Sequence, residues 1–235
     1  MNRIHISIDD VKGIFKALSE ENLNSIFETR TMYFLKQMNS KYGTCFDLYC
    51  TCQDKGYFFH NNSDKYLKEF EENKEWMRFG YHCYDEYELG DPLFEEHITC
   101  FVKDLEFVTG HNKMSNITRL HGFKGKKEEC LFLKKYGIDT FLSSDEGYDS
   151  YYLNHEQNEY LRKNGEFFDE ENGLLFIKSC TRLENVDSIF EEIEQVGKQR
   201  DGIISVFTHE WQIDREDVRN KLEACCKYAE KTGNA

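Results

Sequence analysis

The sequence predicts an α/β fold, a distorted (β/α)7-type barrel with mostly parallel strands. The hydrophobic period switches repeatedly between two and about three and a half along nearly the whole chain, as alternating strands and helices require. Several predicted strands end on residues that can do chemistry, and α/β barrels gather their sites at the C-terminal strand ends. The 235 residues suffice for one substantial core, and no repeat, low-complexity tract or linker divides them. Residues 1–235 are therefore expected to form a single domain.

The elements follow in order. Ile4-His5-Ile6-Ser7-Ile8 alternates and runs into Asp9-Asp10, a first strand that delivers two carboxylates at its end. Leu23, Ile26, Phe27, Phe34 and Met38 return at helical spacing, predicting a helix from about Ser19 to Met38. Gly43 breaks the chain before a strand over Thr44 to Cys52, and Tyr66, Leu67 and Phe70 mark a short helix. Met77 to His82 is the third strand. The only proline, Pro92, stands where a helix striped by Phe94, Ile98, Phe101, Val102, Leu105 and Val108 can begin. His97 shares that stripe and is expected to be packed rather than a ligand. Ile117 to Leu120, Ile138 to Leu142 and Gly173 to Ser179 are further strands, with a helix over Lys126 to Tyr136 that turns at Gly137. Val186, Ile189, Phe190, Ile193 and Val196 stripe another helix. Ile203 to Thr208 is a strand carrying His209, and Val218, Leu222 and Cys225 mark a terminal helix.

Composition narrows the partners. A net charge of −14 disfavours binding to nucleic acid or an anionic membrane surface, which depends on Lys and Arg neutralising phosphates. Nine cysteines are an odd number in a chain that is not small, and their spacings do not repeat as zinc ribbons do, so reduced, buried thiols are expected. No signal-peptide pattern and no bilayer-spanning apolar run is visible, which points to a cytoplasmic protein. The oligomeric state is left open.

The candidate site collects Asp9 and Asp10 after the first strand, His82 after the third, Arg119 near the fourth and His209 after the last. Of two adjacent carboxylates, one can bind a metal while the other acts as a base. Taken alone, the Asp pair reads as a helix cap and His82 as a packed histidine. Glu86 lies four residues beyond His82, the spacing that joins two ligands if a helical turn starts there. Asp10, His82 and Glu86 make an oxygen and nitrogen set suited to zinc or a harder divalent metal, with Asp85 as the fallback third ligand.

These residues resemble the polysaccharide deacetylases, the NodB-homology domains of the carbohydrate esterases. Ser7-Ile8-Asp9-Asp10-Val11 is similar to the first motif, T-F-D-D-G, with Val11 for the glycine. Tyr42 to Phe46 resembles the second strand of the family. Phe79 to Glu86 is similar to G-x-H-(S/T)-x-x-H, with Glu86 where the second histidine belongs. Arg119-Leu120-His121-Gly122-Phe123 resembles R-x-P-(Y/F), with His121 in the proline position and expected to be structural. Asp145 to Asp149 keeps acidic residues but no tryptophan of the fourth motif, and Ser205 to Trp211 resembles the fifth, L-x-H.

The resemblance implies a divalent metal, zinc by expectation, on Asp10, His82 and Glu86. It implies Asp9 as base, steadied by Arg119, and His209 as acid. Tyr81, Tyr148 and Trp211 are the expected substrate-binding residues. The implied reaction is removal of an acetyl group from an acetylated amino sugar or related small molecule. Because Glu86, Val11 and the fourth motif depart from the family, a degenerate barrel that binds carbohydrate or a protein partner is the alternative. Hydrolysis of a different carbon–nitrogen bond is a further one.

Overall fold

The computed structural model describes residues 3–87, 91–189, 191, 193 and 202–231. Its strands are β1 (Arg3–Val11), β2 (Phe46–Asp54), β3 (Tyr57–Phe58), β4 (Met77–Asp85), β5 (Ile117–Thr118), β6 (Thr140–Ser143), β7 (Glu166–Asp169), β8 (Leu174–Arg182) and β9 (Ile203–His209). The helices are α1 (Gly13–Glu20), α2 (Arg30–Tyr42), α3 (Leu67–Glu72), α4 (Phe94–Thr109), α5 (Lys127–Lys134), α6 (His155–Asn164) and α7 (Glu216–Lys231).

The strands β4, β2, β1, β9, β8, β6 and β5 lie side by side, and every ladder between them is parallel. Short β3 and β7 add antiparallel to β2 and β8. The sheet curls into a half-barrel. Among the described residues no ladder joins β4 to β5. The seam is held by single bonds, with Ser115 N donating to Phe79 O at 2.7 Å and Thr118 Oγ1 to Tyr81 O at 3.0 Å.

Both faces of β1 are buried, as parallel strands require. Ile4, Ile6 and Ile8 belong to the apolar core. His5, Ser7 and Asp9 alternate with them and line the barrel interior, beside a small apolar plug of Tyr49, Leu142 and Ile177. Gly80 makes room for that plug, because a Cβ there would stand 2.8 Å from the Tyr49 ring.

Two local expectations change. The helix predicted from Ser19 to Met38 is two helices, because Ser25 and the backbone N–H of Ile26 both donate to the Glu69 carboxylate and draw the intervening chain aside. α6 and β7 are added to the predicted elements, and Asn154 and Gln157 form the reciprocal cap that starts α6. Ile189 and Ile193 of the helix expected over Val186 to Val196 are buried, and Phe190 and Val196 lie outside the described residues.

Candidate functional site

Two β-bulges build the site. On β1, Ile8 faces Leu48 and Val11 faces Cys50, so Asp9 and Asp10 together oppose one residue of β2. On β4, Tyr81 faces Cys50 and Cys83 faces Thr51, which leaves His82 as the extra residue. A bulge bends its strand and re-aims the side chain it carries. Asp10 also takes a positive φ of 54°, a costly conformation for a residue with a Cβ.

That turn is clamped from β9. The Glu210 carboxylate, just past His209, accepts from the N–H groups of Lys12, Gly13 and Ile14 at 2.8, 2.6 and 2.8 Å. It thereby closes the N-terminus of α1 from another element. Burial raises the Glu210 pKa in spite of those three donors.

Asp9 and Arg119 are each 1% exposed and form an ion pair, with Nη1 at 2.9 and 3.2 Å from the two carboxylate oxygens. Arg119 is anchored further by Ser7, Ser179 and Ser205, whose hydroxyls accept at 2.8, 3.1 and 3.3 Å. Its guanidinium carbon lies 3.8 Å from the Phe207 ring centroid. The pair is thus held by side chains of β1, β8 and β9.

Asp10, His82 and His121 form a triangle. His82 Nε2 is 3.3 Å from Asp10 Oδ1, His121 Nδ1 is 3.7 Å from the same oxygen, and the two ring nitrogens are 3.3 Å apart. Ligands about 2.0–2.1 Å from a tetrahedral metal stand about 3.3–3.4 Å from one another, so the edges suit a cation. Asp10 Oδ1 is buried and has no hydrogen-bond partner. His82 Nδ1 donates to Arg119 O at 2.6 Å, which fixes the ring and leaves the Nε2 lone pair for a ligand. Cys83 borders the same space, and Asp10, Cys83 and His121 offer ligand atoms all within 4.8 Å of one another.

Burial works to raise the Asp10 pKa, but His121, His82 and the charge of His209 outweigh it and hold the carboxyl below the usual range. Burial likewise opposes the charged form of His82, yet Asp10 and Asp9 leave its pKa raised. The Cys83 thiol is pushed up by burial, which disfavours a free thiolate.

His209 lies opposite Asp9 in the β1–β9 ladder. Its Nδ1 bonds Glu184, and its Nε2 is 3.9 Å from Asp10 Oδ2. Burial alone would lower the His209 pKa, but Glu184 and the nearby aspartates raise it. Trp211 is largely exposed and stacks on His209 with ring centroids 5.6 Å apart.

Other expected residues sit apart. The helical turn needed to bring Glu86 beside His82 does not form, because β4 continues extended to Asp85. Glu86 instead pairs with Lys12, which also meets Asp54 at 3.2 Å. Asp85 accepts from Gln53 Nε2 and Tyr87 N at 3.3 and 2.9 Å. Tyr81 is buried with its hydroxyl on Asp91, and Tyr148 is exposed. His121, expected to be structural, is the residue that reaches Asp10, from a tight turn in which Gly122 and Phe123 both have positive φ. Glu184 was not foreseen. Its only signal is a carboxylate two residues past the end of β8.

No protein-family model matches this sequence, and no curated protein does. Solved structures do. A protein from Mycobacterium smegmatis described as a polysaccharide deacetylase is similar over 99% of this chain and 85% of its own, with 11% identity and a TM-score of 0.56. A peptidoglycan N-acetylglucosamine deacetylase aligns over 98% of this chain and 83% of its own, with 9% identity and a TM-score of 0.48. At such identities the likeness speaks for the fold, and this chain has the NodB-like fold of the polysaccharide deacetylases.

Proposed function

We propose that this protein is a metal-dependent hydrolase that removes an acetyl or related acyl group from an acylated amino sugar or similar small molecule. The observation that carries the proposal is the buried, unpartnered Asp10 Oδ1 within 3.3 and 3.7 Å of two imidazole nitrogens. A buried carboxylate oxygen and two imidazole nitrogens at these separations are the donor set that a divalent cation takes.

Asp10, His82 and His121 would hold that cation, with His121 in the role expected of Glu86. One carboxylate and two imidazoles suit zinc. His82 is preferred to Cys83 because its Nδ1 bond to Arg119 O orients it, whereas burial opposes the thiolate. When bound, the metal would polarise the acyl carbonyl and acidify a water.

The chain's own groups divide the proton work. Asp9 would receive the proton of the attacking water, with Arg119 holding it in place. Glu184 fixes His209 through Nδ1 and leaves Nε2 toward the centre, placed to protonate the departing nitrogen or oxygen. Trp211 presents a ring face beside His209 on which a sugar can stack. The likeness to a protein described as a polysaccharide deacetylase supports a carbohydrate-type substrate.

Metal analysis and acetate release test this together. Protein loaded with zinc should retain about one ion per chain and release acetate from N-acetylated amino sugars, and His121→Ala should lose both. Wild-type protein that retains no divalent metal and releases no acid from acylated substrates would overturn the proposal.

A further inference from the structure

Beside the proposed centre lies a cavity of about 850 Å³, bounded by β4, the start of α4 and the segments around Leu120 and Tyr151. His82, Cys83 and His121 form part of its wall, so it is continuous with the site. Much of the remaining wall is apolar or aromatic, including Tyr84, Phe94, Leu120, Tyr151 and Tyr152.

Most of the polar groups that line this cavity are already engaged, Lys124 being held least closely, with its Nζ 3.5 Å from Asp149 O. Asp91 accepts from the Tyr81 hydroxyl at 2.9 Å and pairs with His97 Nδ1 at 2.8 Å. The Tyr151 hydroxyl donates to Leu142 O at 2.8 Å, and that of Tyr152 to Asp169 at 2.6 Å. Glu129 is held by Lys126, and Lys127 by Glu171. A sugar ring placed here would bury hydroxyls with few free partners, which is unfavourable. An acetyl methyl would leave almost all of the space unfilled.

We infer that this cavity receives the acyl part of the substrate, and that the preferred group is a fatty acyl chain longer than acetyl, while the sugar or amine lies on the exposed side near Trp211. This rests on Asp10, His82 and His121 being the hydrolytic centre. Water adds to the acyl carbon, the carbon–nitrogen bond breaks, and a fatty carboxylate and a free amine leave.

The test uses zinc-loaded protein and glucosamine carrying N-acetyl, N-butyryl, N-hexanoyl or N-octanoyl groups, with kcat/KM followed by the amine released. Each added methylene that enters the cavity should raise kcat/KM by up to about fourfold. Leu93, exposed at the cavity's edge, can be enlarged without disturbing the core. Leu93→Trp should lower the ratio of octanoyl to acetyl rates. A flat or falling series in which acetyl is still cleaved would overturn the acyl-chain inference and leave the hydrolase standing. Zinc-replete protein that cleaves no member of the series would overturn both.

Discussion

Two buried carboxylates inside the barrel each meet an imidazole, at opposite ends of the strands, and they are satisfied very differently. Near the N-terminal end, Asp47 bonds His5 Nε2 at 2.6 Å, and Arg78 approaches it through Nη2 at 3.1 Å and Nε at 3.0 Å. Burial would raise the Asp47 pKa, but His5 and Arg78 keep it lowered. At the C-terminal end Asp10 gathers His82, His121 and His209 around it, and among the described residues no lysine or arginine pairs with it. Both clusters are built on an aspartate and histidine. What differs is whether a permanently charged guanidinium completes the cluster: Arg78 does so at Asp47, whereas imidazoles surround Asp10.

The largest expected effect tests that rule on a third carboxylate. Arg119→Met would leave Asp9 buried without its counter-charge, and urea unfolding should show a loss of about 3–5 kcal/mol. A loss far below that would mean Asp9 is not held as the geometry suggests.

The same substitution at the two ends should then give opposite results for zinc. Asp10→Asn should weaken zinc binding by at least about 100-fold and, because the folded protein holds this carboxyl below the usual range, lower metal-free stability as well. Asp47→Asn should leave zinc binding alone and cost about 1–3 kcal/mol. Because folding lowers the Asp47 pKa, its contribution is present above the unfolded carboxylate value of about 3.9 and is lost as pH falls through the folded one. Thermal melts should accordingly show a shallower acid decline for Asp47→Asn than for wild type. Equal stability losses with zinc retained in both variants would erase the distinction.

Smaller effects sharpen the boundary of the site. Glu184→Gln should reduce kcat about tenfold at unchanged zinc content, since it positions His209 without facing the triangle. Glu86→Gln, which breaks a pair with Lys12, should change stability by less than about 1 kcal/mol and leave zinc content intact. Loss of zinc in that variant would return Glu86 to the ligand set.

How much of this was legible in the sequence varies with the range of the interaction involved. Alternation in Ile4 to Ile8 announces β1, and the order of strands and helices announces a parallel, curled sheet, which the structure has. Asp9, Asp10, Arg119 and His209 stand at strand ends, where position along the chain is enough to nominate them. Glu86 lies apart from His82 because a spacing of four brings side chains together on a helix, and β4 is extended there. His121 follows Arg119 by two residues but reaches Asp10 from a tight turn past the end of β5.

Periodicity and motif order alone thus determined the fold class, the strand that carries two carboxylates and the rim on which the candidate residues stand, because each depends on local spacing. Only the tertiary structure decided which side chains meet. Bulges on β1 and β4, the turn at Gly122, the Glu210 clamp on α1 and the approach of Glu184 to His209 arise from contacts between distant segments. A local pattern does not encode such contacts, since they depend on how the whole sheet curls and packs.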